Sequence, residues 1–341
     1  MLVIDGSQGE GGGQILRTAL SLSLVTGRPF RLTHIRAGRK KPGLLAQHLT
    51  AVRAATEVGR ADVQGAELGA TELSFVPGQV TPGEYRFAIG TAGSATLVFQ
   101  TVLPALLHAR APSRLILTGG THNDHAPPFD FLAKTFVPVL NRLGAQVEVR
   151  LIRPGFYPVG GGEFEATIVP AQRWERMELI ERGALRSRQA RALVARLPAH
   201  IGDRELAQVE RALGWTRDEV HVEEVADARG PGNVLILELE YEKVTEVVTG
   251  FGARGVPAET VAQNAIAQAR AYLASDAPVG AHLADQLLLP LVLGAGGVFR
   301  AVDWSLHAQT NATVIRQFLD VRIESQQEPG GTWHVVVASA Q

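Results

Sequence analysis

The chain has 341 residues, a formal net charge of −1, 45% hydrophobic and 20% charged residues, and no cysteine. That length buries a large core in one to three domains, and the composition is that of a soluble globular protein. The lack of cysteine excludes disulfides, thiolate metal sites and cysteine nucleophiles, and the near-neutral charge argues against coating nucleic acid along its length.

No stretch reaches the ~20 apolar residues of a membrane span. The most apolar run, from Leu283 to Val298, is interrupted by Asp285, Gln286 and Gly294. The start, Met1-Leu2-Val3-Ile4-Asp5, lacks the basic and long apolar parts of a signal peptide, so a cytoplasmic location is the default expectation.

The first predicted element is a helix ending at Gly27, entered through Asp5-Gly6-Ser7-Gln8-Gly9-Glu10-Gly11-Gly12-Gly13. Glycine lets backbone N–H groups approach an anion, and a helix N-terminus favours one. A carboxylate there repels phosphate unless a metal bridges the two. Glu10 therefore reads either as a Mg²⁺ or Mn²⁺ ligand or as a helix cap. Arg17 lies off the core face set by Ile15, Leu16, Ala19, Leu20 and Leu22. A strand over 30–35 leads into Arg36-Ala37-Gly38-Arg39-Lys40-Lys41, four cations that suit a compact anion or a solvated loop. A helix over 42–58 then carries Gln47 and His48, and strands follow to about Val76.

The pattern restarts at Ala92-Gly93-Ser94, with a helix to His108, a strand over 114–118, a helix over 127–143, and strands over 146–151 and 163–169. Gln100 interrupts an apolar helix face and needs a partner, either a nucleotide or a backbone carbonyl. Thr121-His122-Asn123-Asp124-His125 has metal-binding residue types but lacks a third well-spaced ligand. A glycine-rich segment, Gly155-Phe156-Tyr157-Pro158-Val159-Gly160-Gly161-Gly162, precedes the last of these strands.

A third restart at Val279-Gly280 gives a helix to Leu293, containing His282-Leu283-Ala284-Asp285-Gln286. A strand over 298–302, a helix over 311–319 and strands over 321–324 and 332–338 follow. The first two restarts lie roughly eighty residues apart and the last two nearly two hundred, an excess of one small domain. That excess, 181–275, has its own order: strand 190–197, helix 203–213, strand 219–225, a turn at Gly230-Pro231-Gly232, strand 234–241 and helix 257–273.

In Ser305-Leu306-His307-Ala308-Gln309-Thr310-Asn311 a histidine stands just before a short helix that Thr310 or Asn311 can cap. A positive helix end disfavours the protonated ring, and neutral imidazole can attack an electrophile. The chain has no Gly-Lys-Ser or Gly-Lys-Thr, hence no P-loop, and no lysine followed two residues later by Asp-Gly. A covalent nucleotide, if one forms, is expected on histidine.

The segments around Glu10, Arg36 to His48, Gly155 to Gly162, His282 to Gln286 and His307 keep an order that resembles the RNA 3′-terminal phosphate cyclases over nearly the whole chain. The resemblance implies an α/β (α+β) fold of three repeated helix/four-stranded-sheet units forming a large domain, 1–180 and 276–341. A smaller α/β domain, 181–275, is inserted between the second and third units. It implies a nucleotidyl-transferring ligase that uses ATP to turn an RNA 3′-terminal phosphate into a 2′,3′-cyclic phosphodiester, with AMP carried on His307. Gln100, Pro127, His282, Leu283, Ala284, Asp285 and Gln286 are then ATP contacts. Arg17, Arg36, Arg39, Gln47 and His48 hold RNA or phosphate, and Glu10 holds Mg²⁺ or Mn²⁺. An aromatic ring is expected to stack on adenine where His282 stands, and imidazole stacks more weakly. Two other readings stay open: a non-catalytic relative acting in ribosome assembly, and a small-molecule transferase of the enolpyruvyl type. The oligomeric state, a homodimer included, is open.

Overall fold

The computed structural model describes residues 1–124 and 126–340. The first unit runs β1 (Leu2–Asp5), α1 (Gly13–Thr26), β2 (Phe30–Thr33), α2 (Ala46–Gly59), β3 (Asp62–Gln64) and β4 (Leu73–Val76). Its sheet has the order β1-β2-β4-β3, with β1 and β2 parallel and the other pairs antiparallel. α1 stops at Gly27, whose left-handed conformation (φ 70°) lets its N–H bond to Ser23.

The second unit repeats this plan with β5 (Glu84–Ala88), α3 (Ala95–Leu107), β6 (Ser113–Gly119), a second helix, β7 (Gln146–Arg153) and β8 (Gly162–Val169). Its second helix starts as α4 (Phe129–Phe131), widens into a π turn over Leu132–Phe136 and closes as α5 (Val137–Arg142). The sheet order, β5-β6-β8-β7, matches the first, again with the leading pair parallel.

β9 (Met177–Leu179) comes next, and then the intervening segment. That segment holds β10 (Leu185–Ala195), α6 (His200–Leu213), β11 (Val220–Val225), β12 (Gly232–Tyr241), β13 (Thr245–Phe251) and α7 (Ala258–Ala274). Its strands pair as β11-β10-β12-β13. The chain finishes with α8 (Ala281–Leu293), β14 (Gly297–Ala301), α9 (Leu306–Phe318), β15 (Ile323–Gln327) and β16 (Trp333–Val337). The fourth sheet, β15-β16-β14-β9, recruits β9 as the parallel partner of β14. The intervening segment therefore interrupts the third unit after its first strand.

The leading strands β1, β5 and β9 sit at sheet edges and are three to five residues long. So short an edge strand carries little periodicity, and the sequence pattern yields only helix–strand–helix and two strands per unit. α2 begins at Ala46 rather than at residue 42, because Gly43 takes φ +77° and breaks the helical path.

β12 and the second half of β10 are buried on both faces. Ala190, Ala192, Leu235 and Leu237 pack with Leu206, Val209 and Tyr272 in a core of their own. Leu193, Ala195, Val234 and Ile236 join the main core instead. This explains the unbroken apolar run Val234 to Leu237, which alternation alone does not predict. Charges fix the same junction. Arg191 of β10 pairs with Asp130 and with Glu238 of β12, and Lys134 of the π turn also reaches Glu238. His122 completes the network through Nε2, 2.8 Å from Asp130. That histidine, the centre of the metal-like run 121–125, is thus committed to a buried ion-pair network; His125 lies outside the described residues. Among the described residues no helix is long and apolar enough to cross a membrane.

Glu246 of β13 is 6% exposed and accepts the N–H of Gly280, just ahead of α8. Burial pushes its carboxyl up to about 8, against the lowering influence of that bond and of Arg182. Glu205, buried beside Asn233, is pushed up to about 7 in the same way. A carboxyl whose folded pKa lies above its unfolded one keeps a proton that the unfolded chain has already released. Stability should therefore fall as pH rises from about 4.5 through 8. Glu246→Gln should flatten this decline, leaving the Glu205 part, and stabilise the protein at pH 8.5 by an amount on the order of a few kcal/mol. Thermal melts of both proteins from pH 5 to pH 8.5 check it; parallel pH dependences would disprove it.

Candidate active site

The N-terminal turns of α1, α2, α3, α8 and α9 open onto one cleft of about 1610 Å³. Each turn points the positive end of a helix dipole at the cleft, which therefore favours anions before any charged side chain is counted.

His307 is the second residue of α9, not a residue ahead of it. Ser305, rather than Thr310 or Asn311, is the cap: its hydroxyl accepts the N–H of Ala308 at 3.2 Å. The helix therefore starts one turn earlier than the apolar spacing predicts. The side chain of His307 is 54% exposed, and its Nδ1 lies 3.6 Å from an oxygen of Glu10. Glu10 reaches it because the glycine loop is clipped onto α9. Its N–H donates to Thr310 Oγ1 at 3.0 Å, and Gly9, at φ +56°, leaves room for that hydroxyl where a Cβ would sit 2.3 Å away. The other Glu10 oxygen pairs with Arg39, which extends from the basic loop.

Arg17 and His48 sit beneath this surface. The Arg17 guanidinium donates to Gln14 at 2.9 Å, and burial pushes its pKa down to about 10, partly offset by Asp285. It stays charged at neutral pH. The imidazole of His48 is pushed down to about 3 by burial and by the charges of Arg17 and Arg36. Its Nδ1 accepts the N–H of Leu45 at 3.2 Å, so the neutral ring carries its proton on Nε2. Nε2 faces Gly13, where a Cβ would lie only 2.4 Å away. Arg36, also placed by sequence among the phosphate ligands, turns back on its own loop and donates to the carbonyls of Lys41 and Gly43 at 2.6 and 2.8 Å. Gln47 accepts the N–H of Ser94 at 2.8 Å, joining α2 to the start of α3.

On the far wall Gln100 donates to Gln286 at 2.6 Å, a partner from another unit that the sequence pattern does not reveal. His282 opens into the cleft edge-to-face with Phe131 at 6.1 Å, and the surrounding protein lowers its pKa, helped by His307. Pro127 lines the same space, its carbonyl held by Thr96. Leu283 and Ala284 do not: both are 0% exposed and face the core with Leu287 and Leu288. The helical period turns them away from their neighbours, so only their backbone is available to a ligand.

Asn311, read as a possible cap, is a buried staple. Its amide donates to the carbonyl and carboxylate of Asp285 at 3.0 and 2.8 Å, and its oxygen accepts from Thr18 at 2.7 Å. It thereby ties α1, α8 and α9 together. The signal available in sequence is its position four residues after His307, on the helix face that also carries Ile315 and Phe318.

No group of three or more His, Cys, Asp or Glu able to hold a metal occurs among the described residues. Glu10 alone, beside helix N-termini, is no complete cage. It does fit an ion whose remaining ligands are waters and phosphate oxygens, the usual habit of Mg²⁺.

The family profile described as RNA 3′-terminal phosphate cyclase matches residues 8–325. The chain therefore belongs to that family. It is 53% identical over 328 residues to the RNA 3′-terminal phosphate cyclase of Koribacter versatilis, covering 96% of this chain and 92% of that one. The protein of the same name in Ralstonia nicotianae is 54% identical, with 95% and 93% covered. That of Salmonella enteritidis is 49% identical, with 97% of each chain covered. A solved enolpyruvyl transferase, NikO from Streptomyces tendae, aligns with a TM-score of 0.38 and 12% identity, covering 99% of this chain and 48% of that one. That likeness is too weak to bear on the reaction.

Asn311→Ala leaves the half-buried carboxylate of Asp285 and the hydroxyl of Thr18 with only the long bonds from Gln14, and should cost about 1–3 kcal/mol. Thr18→Val, which removes one neutral partner, should cost less. Chemical denaturation of the two variants checks the ranking; equal, negligible losses would show that the staple is not structural.

Proposed function

We propose that this protein converts an RNA 3′-terminal phosphate to a 2′,3′-cyclic phosphodiester, using ATP as co-substrate and His307 as the carrier of AMP. The observation that carries this reading is the exposed imidazole of His307 in the first turn of α9, with Nδ1 3.6 Å from Glu10, inside an anion-favouring cleft. The Glu10 carboxylate favours the tautomer protonated on Nδ1, which leaves the Nε2 lone pair free to attack.

Three transfers follow. His307 Nε2 forms a bond to the α-phosphorus of ATP as the bond to the β-phosphate oxygen breaks and pyrophosphate leaves. An oxygen of the RNA 3′-phosphate then takes the AMP from His307. Finally the adjacent 2′-hydroxyl attacks the 3′-phosphorus, loses its proton and expels AMP. The last step needs the ribose hydroxyl, so a DNA end is activated but not cyclised. Arg39 and the buried charge of Arg17 stabilise phosphoryl oxygens. Arg36 shapes the loop that presents Arg39, and His48 supports the floor through Gly13. Gln100, Gln286, Pro127 and His282 form the nucleoside end of the cleft. Glu10 is the residue that would hold Mg²⁺ or Mn²⁺, and the ion would neutralise charge on the transferring phosphoryl group.

His307→Ala should lose all capture of label from α-labelled ATP. The wild type should hold it in an acid-labile, alkali-stable bond. Label recovered on Lys40 or Lys41 by peptide mapping would overturn the assignment. The same variant should still cyclise RNA supplied with a pyrophosphate-linked AMP already on its 3′ end, because proximity of the 2′-hydroxyl provides much of that acceleration. Release of AMP no faster than in buffer would mean that His307 also serves cyclisation.

Arg39→Lys exchanges a bidentate fork for a point charge. Turnover of RNA ending in a 3′-phosphate should fall more than AMP capture does. Equal losses in the two assays would assign Arg39 to ATP instead.

A further inference from the structure

Nothing in the proposed chemistry uses Tyr157, yet it is built into the cleft. Tyr157 and Pro158 line it, and Tyr157 is 76% exposed, the largest fraction among the exposed large apolar side chains. An aromatic ring left in water next to a polar site has no packing role. Its backbone, by contrast, is tightly held. Phe156 is 3% exposed, with its ring 5.5 Å from that of His122, which is itself locked to Asp130. The Phe156 ring lies where a Cβ on Gly232 would fall, so the intervening segment braces it from outside. Gly160 donates to the Phe156 carbonyl at 2.6 Å, and Gly155 donates to Thr121 at 2.9 Å. Gly160 and Gly161 take φ of +69° and +71°, packed against Thr91–Ala92 and the stem of Arg229. The loop is therefore a rigid arm with a free aromatic tip.

The cleft also has room for more than one ligand. At about 1610 Å³ it exceeds the roughly 300–1,000 Å³ of a site for one small molecule. Pro127 and His282 can supply the two faces for one base, that of the nucleotide. Tyr157 is a third flat surface, left for a second base. Tyrosine suits this use because it offers a large face at little cost in side-chain freedom, and every base can stack on it.

We propose that Tyr157 is the platform on which the 3′-terminal base of the RNA stacks while its phosphate lies among Arg39, Arg17 and His307. This inference rests on the cyclase reading above. It makes recognition of the end tolerant of sequence, with purine ends bound more tightly than pyrimidine ends.

The test uses full-length wild type, Tyr157→Ala, Tyr157→Phe and Tyr157→Trp, with an RNA oligonucleotide ending in 2-aminopurine and a 3′-phosphate. Stacking should quench the probe in wild type and in the two aromatic variants, but not in Tyr157→Ala. In Tyr157→Ala the KM for RNA should rise at least about fivefold. AMP capture from ATP without RNA should proceed at the wild-type rate, and Tyr157→Phe should behave as wild type. Undiminished quenching with an unchanged KM in Tyr157→Ala overturns the proposal. So does an equal loss in AMP capture, which would put the ring against the nucleotide. Quenching needs no turnover, so a wild type that binds RNA but captures no AMP would refute the cyclase reading without touching the stacking result.

Discussion

The buried amide of Asn311 is the constraint on which the site depends. Three helices from two repeated units meet at their N-terminal turns, where backbone N–H groups are unpaired and side chains cannot close an apolar core. Asn311 bonds to Asp285 on α8 and to Thr18 on α1, and so fixes those ends at hydrogen-bond length. Burial raises the pKa of Asp285, while the nearby His307, the Asn311 bond and Arg17 pull it back. Once the three ends are set, Thr310, one residue earlier on α9, receives the glycine loop and brings Glu10 to His307.

Charge in the cleft is arranged in depth. Arg17 and His48 are the floor: Arg17 stays cationic despite its burial, with Asp285 nearby, and His48 is kept neutral by burial and the two arginine charges. Arg39 and Glu10 form the upper layer, paired with each other and partly open to solvent. A buried arginine provides a fixed field that needs no reorganisation when an anion arrives. The Arg39 end of the pair is open to water, where ion pairs are individually weak, so it can exchange partners at small cost. The fixed layer suits orientation and the exchangeable layer suits a substrate that enters, changes charge and leaves.

Much of this was legible in sequence, for identifiable reasons. Helices α1, α3, α6, α7 and α8 follow from apolar periodicity and from their capping and turn residues, because both act within a few residues. The repeat spacing pointed to an extra segment at about 181–275, although it could not show that β9 belongs to the third sheet, since that pairing spans more than a hundred residues and β9 itself is only three long. The nearness of Glu10, Arg17, Arg39, His48 and His307 came from family resemblance, as no local pattern encodes contacts across units. What both missed is direction. Leu283 and Ala284 share a motif with Asp285 and Gln286, but the helix turns them into the core. Arg36 shares a basic run with Arg39, yet its left-handed backbone (φ 55°) returns its guanidinium to Lys41 and Gly43. The partner of Gln100 proved to be another glutamine, 186 positions away.

The repeated architecture also gives equivalent helix starts different surroundings. His48 and His307 occupy comparable places, the first turns of α2 and α9, which are the second helices of the first and third units. At His48 a preceding backbone N–H takes up Nδ1, Gly13 closes over Nε2, and two arginines stand nearby, so the ring is neutral and has no room for an incoming phosphorus. At His307 the cap is a serine, which leaves both ring nitrogens outside the capping bond, and the side chain is half exposed beside a carboxylate. Fold and helix dipole are common to the two positions. The difference between an enclosed and an open imidazole lies in who caps the helix and what lies over the ring. In the second unit the corresponding turn begins with Phe129, Asp130 and Phe131, and its polar member is spent on Arg191 and His122, binding the intervening segment. One scaffold used three times thus yields a floor, an anchor and an open imidazole, separated by burial and capping within single helical turns.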